Sequence, residues 1–335
     1  MAKQYLGHLS SQDPLHAYLA QCVLPQMGAD THRGARFRVF SMKEDKVYLY
    51  EERDSCAQVV GKFFVNGGHP RPAAIERMRR EFDNLQTARG FGLAGYPHHV
   101  VRPLGTNEGL NSMLVEEYAE GVPLSTFVSD AIHHGQSQTL YTKLTALAYF
   151  LATLHNRSAN GHRVDFNQDC AYLDRIVRKL VAKRTISVWD ADEFYWLRDR
   201  WREKPRMWED NQVLVHGDAT PSNLLFGRGL SVIAIDLERM TRADRVFDLG
   251  RITGELQHSF LEATGNGSGA EPFVGHFLWE YACHFPDRGA AFRAITGRLP
   301  FQMALTLLRI ARNSWVGEHQ RRRLVQEAKI TLRTP

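Results

Sequence analysis

The sequence predicts an α+β fold, with antiparallel strands in the first third of the chain and helices in the rest. Short runs with apolar residues at alternating positions occur within residues 36–64 and 100–118, which is typical of strands. From Leu124 onward, apolar residues recur three and four positions apart, as in amphipathic helices. A chain of 335 residues with 43% hydrophobic content can form one large domain or two lobes, each with its own core.

The first 34 residues are interpreted as an N-terminal extension that contains one helix. Leu15, Leu19 and Val23 fall at helical spacing within residues 14–27, and Asp13 is placed to cap the helix. We expect this helix to pack on the first lobe. The alternative is a contact between two copies of the chain, and hence a homodimer.

Three strands are predicted within residues 36–64, joined first by the charged, glycine-free turn at residues 43–46. The third strand carries Lys62 among apolar residues. A single lysine in a strand is most often an edge charge. A flexible break is expected at residues 66–70, and a helix at residues 72–88.

The remaining predicted helices follow the same apolar spacing. They are expected at Tyr141 to His155, Tyr172 to Arg184, Ala191 to Trp208, Ile252 to Ala263, Phe273 to His284, Pro300 to Trp315 and Arg321 to Leu332. We expect the three tryptophans of the third helix in this series, Trp196, Trp201 and Trp208, to lie in the core.

The stretch LVHGDATPSNLLFGRGLSVIAID at residues 214–236 contains the groups best suited to chemistry. Asn223 follows Asp218 by five positions, and a second apolar run leads to Asp236. Two apolar runs around the turn at residues 227–229 suggest a hairpin that brings the three side chains together. Metal-assisted phosphoryl transfer needs such a set, in which one carboxylate accepts a proton while an amide and a second carboxylate bind Mg²⁺.

This motif resembles the aminoglycoside phosphotransferase and choline kinase family, which transfers phosphate to small molecules. The resemblance rests on HGDATPSN followed by IDLE, and family landmarks occur in order from Arg36 to Asp248. Protein kinases have arginine after the histidine, whereas this chain has Gly217. The resemblance implies a two-lobed, protein-kinase-like fold. It divides the chain into the extension, a nucleotide-binding N-lobe at 35–118 and a mostly helical C-lobe at 119–335 with the catalytic loop and the acceptor-binding helices.

The same resemblance implies ATP and Mg²⁺ as cofactors and a small-molecule hydroxyl as acceptor. Lys62 would bind the nucleotide phosphates and Glu81 would orient it, with Glu76 as the alternative partner. Asp218 would accept the proton of the hydroxyl. The other positions implied by the resemblance are Asn223 and Asp236 for Mg²⁺, Ser41 for the phosphates, Glu117 C=O and Ala119 N–H for adenine, and His216 and Asp248 as supports of the loop.

The acceptor itself is left open by the sequence. Choline-kinase-like enzymes hold a cation with acids and aromatic faces on the helices that follow FDLG, and Glu255 and Glu280 occupy such helices here. We expect one of them to contact the acceptor. The net charge of +5 favours the alternative, a neutral or anionic polyol.

Composition excludes several other classes. The basic residues are spread along the chain without a nucleic-acid motif, so no nucleic-acid partner is expected. Four widely separated cysteines indicate a reduced, cytoplasmic protein without a thiolate zinc site. No apolar run approaches the ~18 residues of a membrane span. A protein kinase and a non-catalytic pseudokinase remain the alternatives to a small-molecule kinase.

Overall fold

The computed structural model describes residues 3–29, 34–43, 46–65 and 71–334, and the chain forms two compact units. The first unit comprises Met1–Gly121 and Ile233–Arg239, and the second comprises Val122–Val232 and Met240–Pro335. An antiparallel sheet dominates the first unit and helices dominate the second, which confirms the predicted α+β class. None of the described helices is both long enough and apolar enough to cross a bilayer.

The first unit contains eight strands and two α-helices among its described residues. They are β1 (Gln4–His8), α1 (Pro14–Tyr18), β2 (Phe37–Lys43), β3 (Val47–Glu52), β4 (Gln58–Phe63), α2 (Arg71–Gly90), β5 (Ala94–Gly95), β6 (His98–Val100), β7 (Pro103–Asn107) and β8 (Met113–Glu117). Six of the strands form an antiparallel sheet in the order β1-β2-β3-β4-β8-β7. Residues 44–45, the centre of the charged turn predicted at residues 43–46, and the break predicted at residues 66–70 lie outside the described residues.

The N-terminal segment contributes both a strand and a helix to this unit. Strand β1 was not predicted, because its side chains are mostly exposed and only backbone pairing with β2 places it in the sheet. The helix that starts at Pro14 continues through π-helical and 3-10 turns to Met27. Its Leu19 and Val23 are fully buried in one cluster with Phe37 of β2. The segment therefore packs against one face of the sheet.

Alternation along β4 gives the two faces of the sheet different roles. Val59 belongs to the face that packs against the N-terminal segment, and a Cβ on Gly61 would lie 2.4 Å from Met113 Cε on that face. Lys62 therefore points to the opposite face, where its ammonium meets Glu81 of α2. The alternation of the strand determines that the lysine faces α2.

The second unit contains eight α-helices and five short strands among its described residues. They are β9 (Val122–Pro123), α3 (Leu124–His134), α4 (Ser137–Ser158), α5 (Phe166–Ala182), α6 (Val188–Arg202), β10 (Val213–Val215), β11 (Leu224–Phe226), β12 (Val232–Ala234), β13 (Thr241–Ala243), α7 (Val246–Thr264), α8 (Glu271–Ala282), α9 (Arg288–Ala311) and α10 (Glu318–Arg333), with β12 reaching into the first unit. Its core joins α5, α6, α9 and α10.

The predicted hairpin within residues 214–236 is only partly correct. Strand β10 pairs with β13, not with the second apolar run. The turn at residues 227–229 is closed by a 3.1 Å bond from Gly227 N–H to Ser231 C=O, and it joins β11 to β12 along the chain. Strand β11 was missed because three apolar residues give too short a run to distinguish from a turn.

Helices α7 and α9 cross at unusually close range. A Cβ on Gly250 would lie 2.3 Å from Cβ of Gln302, and one on Gly254 would lie 2.7 Å from Cβ of Thr306. The hydroxyl of Thr306 donates a 3.1 Å hydrogen bond to the carbonyl of Gly250. Two glycines four positions apart thus bring the backbones together and fix which side chains of the two helices meet.

Two sequence-based expectations about the helices are wrong. Helix α9 begins at Arg288, where Asp287 caps it by accepting a 2.8 Å bond from Ala290 N–H, and Pro300 lies inside the helix. The helix therefore begins well before the expected start at Pro300. Trp196 is not in the core but 55% exposed, with the Arg200 guanidinium carbon 4.9 Å from its ring centroid.

Candidate active site

The ammonium group of Lys62 lies among three carboxylates of the first unit. Its Nζ is 2.6 Å from Glu81 Oε1, 3.1 Å from Glu116 Oε1 and 3.9 Å from Asp236 Oδ1. Glu81 and Glu116 are buried, and Asp236 is partly exposed. Glu81, and not Glu76, is therefore the partner of the lysine. Two buried acids thus hold the ammonium of Lys62 within 3.9 Å of Asp236.

Burial and charge act in opposite directions on this cluster. Burial lowers the pKa of Lys62, but the charges of Glu116, Glu81 and Asp236 outweigh it, so the pKa is raised and the ammonium stays charged. Burial raises the pKa of Glu81 to about 7, with Lys62 opposing the shift and the other two carboxylates adding to it. Burial likewise raises the pKa of Glu116, again against the attraction of Lys62.

Asp236 occupies a left-handed backbone conformation with φ of 65°, which is uncommon for a residue other than glycine and frequent at functional sites. Carboxylate oxygens of Asp236, Glu81 and Glu238 lie within 4.8 Å of one another. Carboxylate oxygens are the hard ligands that Mg²⁺ prefers. The residues present in the first unit therefore fit a magnesium ion, although Arg77 occupies one oxygen of Glu238 at 3.0 Å.

Three predicted nucleotide contacts lie in or beside the sheet of the first unit. Ser41 is inside β2, paired with Tyr48 on one side and Gln4 on the other. Glu117 ends β8, and its side chain accepts a 2.7 Å bond from Arg102 N–H. Ala119 follows in an irregular segment. Their contacts with a nucleotide stay predictions.

The loop from His216 to Asn223 lies in the second unit between β10 and β11. The side-chain amide of Asn223 donates a 3.0 Å bond to the carbonyl of Asp218, and Thr220 N–H donates to the same carbonyl at 2.7 Å. Gly217 has φ of 80°, which residues with a Cβ rarely adopt. The spacing of five residues thus forms one compact turn. It brings Asp218 and Asn223 together, whereas their approach to Asp236 of the first unit stays a prediction.

Asp248 at the start of α7 binds the backbone of this loop. Its carboxylate accepts bonds from His216 N–H at 2.6 Å and Gly217 N–H at 3.1 Å. The same carboxylate contacts His155 Nε2 at 3.2 Å, and His155 Nδ1 contacts the hydroxyl of Tyr281 at 2.8 Å. Burial would raise the pKa of Asp248, but these bonds and the nearby histidines lower it, so the carboxylate remains charged. His216 is itself buried.

Arg309 of α9 was not predicted, yet it contacts the proposed base. Its Nη1 lies 4.0 Å from Asp218 Oδ1, and its Nη2 donates a hydrogen bond to Glu255 Oε1. The side chains of the three residues are 14–18% exposed. Burial raises the pKa of Glu255 to about 7, with Arg251 opposing the shift and Asp218 adding to it. Glu255 therefore belongs to the surroundings of Asp218.

Glu280, the other predicted acceptor residue, has different neighbours. It accepts a 3.3 Å bond from Arg288, whose guanidinium carbon lies 3.9 Å from the centroid of Trp279. The next residue, Tyr281, is fully buried and contacts His155. These neighbours do not include the loop from His216 to Asn223, so the role of Glu280 stays a prediction that the geometry does not strengthen.

Three residues of these clusters escaped the sequence analysis: Glu116, Glu238 and Arg309. The first two stand beside predicted residues, in VEEYAEG and IDLE, and an acid at an inward position of a strand was a usable signal. Arg309 follows Asp218 by 91 positions (309 minus 218), and no local pattern marks it. Only the crossing of α7 and α9 brings it to the loop.

The model of one protein family, described as a phosphotransferase enzyme family, matches residues 34–281 of the chain. No curated protein sequence matches.

Three solved structures resemble the fold at low sequence identity. An ethanolamine kinase of Plasmodium vivax superposes with a TM-score of 0.60 at 13% identity, over 97% of this chain and 88% of the kinase. A macrolide 2'-phosphotransferase from Brachybacterium faecium gives 0.52 at 17% identity, over 95% and 99%. The GDP complex of an aminoglycoside 2'-phosphotransferase gives 0.54 at 17% identity, over the same shares. These likenesses establish the kinase-like fold.

Proposed function

Because the chain belongs to this phosphotransferase enzyme family, we propose that it transfers the γ-phosphate of ATP to a hydroxyl group of a small polar molecule. The observation that carries the proposal is the position of Lys62. Its ammonium is held 2.6 Å from Glu81 and 3.9 Å from Asp236, so a fixed positive charge lies beside a carboxylate suited to Mg²⁺. A nucleotide triphosphate needs the positive charge for its phosphates, and its metal ion needs the carboxylate.

The residues of the first unit bind and orient the nucleotide in this proposal. Lys62 contacts phosphate oxygens, while Glu81 and Glu116 hold its ammonium in place. Asp236 and Asn223 would hold Mg²⁺, which when bound would neutralise charge on the phosphate oxygens. The backbone of Glu117 and Ala119 binds adenine, and Ser41 contacts the phosphates. Residues 35–118 thus supply the lysine, its acidic partners and most nucleotide contacts, and residues 119–335 supply Ala119, the metal ligands and the catalytic loop.

Asp218 acts on the acceptor. Its carboxylate accepts the proton of the hydroxyl group as the hydroxyl oxygen bonds to the γ-phosphorus and the bond from that phosphorus to the leaving oxygen of ADP breaks. Proton transfer of this kind contributes about 10²–10⁴ in rate. The hydrogen bonds from Asn223 and Thr220 to the Asp218 carbonyl, and those from the loop backbone to Asp248, keep the carboxylate in position. Positioning is the main contribution that a protein makes to phosphoryl transfer.

The test is Mg-ATP consumption with a panel of small alcohols, including amino alcohols, sugars and hydroxy acids, with the product followed by phosphorus NMR. Asp218→Asn removes the charge at constant size and should lower turnover by about 10²-fold or more while ATP still binds. Asp192→Asn, an exposed acid on α6, is the matched control. Near-normal turnover of Asp218→Asn would refute its role, and phosphorylation of protein substrates alone would indicate a protein kinase.

The metal site has its own test. Asp236→Ala should weaken the binding of Mg-ATP and abolish transfer, because the ion neutralises the triphosphate. Calorimetric titration with and without Mg²⁺ measures the affinity directly. An unchanged affinity and an unchanged dependence on Mg²⁺ would show that Asp236 is not a ligand.

A further inference from the structure

The face of α7 that lies against the catalytic loop has charged side chains of alternating sign. Asp248, Arg251 and Glu255 are three and four positions apart, so they lie on the same side of the helix. Asp248 binds the backbone of His216 and Gly217, which fixes the direction of this face. The charged groups of the face are therefore neighbours of Asp218, the proposed base.

Helix α9 adds a second arginine to this region. The close crossing at Gly254 and Thr306 brings Arg309, three positions further along α9, to Glu255 and Asp218. Two guanidinium groups thus lie beside Glu255 and Asp218, while the third carboxylate, Asp248, accepts the N–H groups of His216 and Gly217. Among the described residues the charges beside Asp218 nearly balance, whereas a site for a polycation would require a large surplus of negative charge.

Both arginines retain donors that the protein does not use. The Nε of Arg309 is buried and has no hydrogen-bond acceptor among the described residues. Nε and Nη1 of Arg251 are in the same situation, and Arg251 is only 3% exposed. A buried donor without an acceptor costs about 1–3 kcal/mol, more for a charged group. Such donors beside a reactive carboxylate indicate a ligand that supplies acceptor oxygens.

Together these observations identify the acceptor by its charge. We infer that the acceptor is a hydroxyl compound that also carries an anionic group, a carboxylate or a phosphate, and that Arg309 is the residue that binds this group. Arg309 is the more accessible of the two arginines, at 14% exposure of its side chain. Its planar guanidinium can bind an oxyanion through two parallel hydrogen bonds. Arg251, which is buried on α7, adds a second positive charge to this region.

The ion pair with Glu255 is the contact that such an acceptor would replace. Glu255 accepts from Nη2 of Arg309, and an incoming carboxylate or phosphate offers the same kind of oxygen. Burial raises the pKa of Glu255 to about 7, so the side chain can take up a proton when its partner is withdrawn. The exchange then leaves no second negative charge unpaired beside the acceptor.

This inference rests on the proposed function, and a matched series of probes tests it. Glycerate, glycerol and 3-amino-1,2-propanediol share a three-carbon skeleton with hydroxyl groups and differ in the charge at one end. The measurement is kcat/KM for each with Mg-ATP, together with the thermal shift that each produces beside a non-hydrolysable ATP analogue. We expect glycerate to exceed the amine by about tenfold or more, mainly through KM, as one charge-assisted contact implies.

The variants assign the preference to the residue. Arg309→Gln should reduce the preference for glycerate to about threefold or less. Arg309→Lys should retain part of the preference, because lysine keeps the positive charge but lacks the paired donors of the planar guanidinium. Arg293→Gln, an exposed arginine of the same helix, should leave the preference unchanged. If Arg309→Gln does not fold, the inference is tested by the preference of the wild type for glycerate and by the reduced preference expected of Arg309→Lys.

With these probes, either of two outcomes would overturn the inference while leaving the proposed function intact. One is a preference for the neutral or the amine probe in the wild type. The other is a preference for glycerate that Arg309→Gln does not change. If the three probes are too small to react, the charge of whichever alcohol the panel identifies decides, and an acceptor without an anionic group refutes the inference. Absence of transfer to every alcohol would instead refute the proposed function.

Discussion

The buried carboxylate of Glu116 lies 3.1 Å from the ammonium of Lys62. Lys62 therefore has two buried acidic partners, Glu116 on β8 and Glu81 on α2. One positive charge cannot balance both of them and Asp236. The surplus negative charge repels nucleotide phosphates, which need the same ammonium.

Neutralising Glu116 should therefore strengthen nucleotide binding. Glu116→Gln removes one competing charge at constant size, and we expect the Kd for Mg-ATP to fall by about threefold or more. Glu76→Gln, at an exposed acid of α2, is the matched control. Calorimetric titration measures both. Weaker binding in Glu116→Gln would mean that Glu116 positions the lysine more than it competes for it.

The pair of Lys62 and Glu81 should behave as one unit. Lys62→Ala removes the charge that binds the phosphates, and Glu81→Ala leaves that charge without its orienting partner, so the second change should cost less affinity. In a double-mutant cycle we expect a coupling free energy of about 0.5–3 kcal/mol. Simple addition of the two effects would show that the 2.6 Å contact does not matter for binding.

The sequence could predict those parts of the site that depend on local spacing. Asp218 and Asn223 are five positions apart and belong to one turn, so their contact follows from the spacing. Lys62 and Glu81 are 19 residues apart, and their pairing was implied by the resemblance, which matches a strand lysine with a glutamate on the following helix. In each case the pattern fixes the side chain relative to its own element.

The parts that could not be predicted depend on packing between distant elements. Arg309 reaches Asp218 only because Gly250 and Gly254 let α7 and α9 approach closely. Strand β1 joins the sheet through its backbone, which carries no side-chain pattern. Pro300 is tolerated inside α9 although proline usually marks a helix end. A single sequence shows none of these relationships.

Asp248 should be essential for the stability of the loop. Asp248→Asn keeps the size but replaces a charged acceptor of two backbone N–H groups, and it weakens the contact with His155. We expect the free energy of unfolding to fall by about 3 kcal/mol and turnover to fall with it. Urea unfolding gives the first value, with Asp192→Asn as control. A loss of turnover without a loss of stability would indicate a direct catalytic role instead.

The buried His155 should make stability depend on pH. Burial lowers its pKa below the value of 6.5 in the unfolded chain, although the bond to Asp248 opposes the shift. The unfolded state therefore binds the proton first, so the stability that the neutral ring provides is complete above pH 6.5 and is lost as pH falls through the folded pKa. We expect a decrease of up to about 1.4 kcal/mol per pH unit below 6.5. In urea titrations at pH 8 to 5, His155→Gln should show a smaller decrease, and an equal decrease would assign it to other groups.

The crossing of α7 and α9 can be tested through its glycines. An added Cβ at position 254 would lie 2.7 Å from Thr306 Cβ and 3.2 Å from the backbone carbonyl of Met303, so the helices must separate to accommodate it. We expect Gly254→Ala to lower the free energy of unfolding by about 1–3 kcal/mol. Because Glu255 is the next residue, separation also weakens its contact with Arg309, and turnover should fall at temperatures where the variant is folded.

Gly275 provides the matched control for this substitution. It lies inside α8, and a Cβ there would meet nothing within 4 Å. Gly275→Ala should therefore stabilise the protein by about 0.5–1 kcal/mol, because alanine loses less conformational freedom in a helix. Urea unfolding and turnover of both variants separate packing from helix propensity. If Gly254→Ala is as stable and as active as Gly275→Ala, the close crossing does not set the position of Arg309, and the link between helix packing and the charge beside Asp218 is wrong.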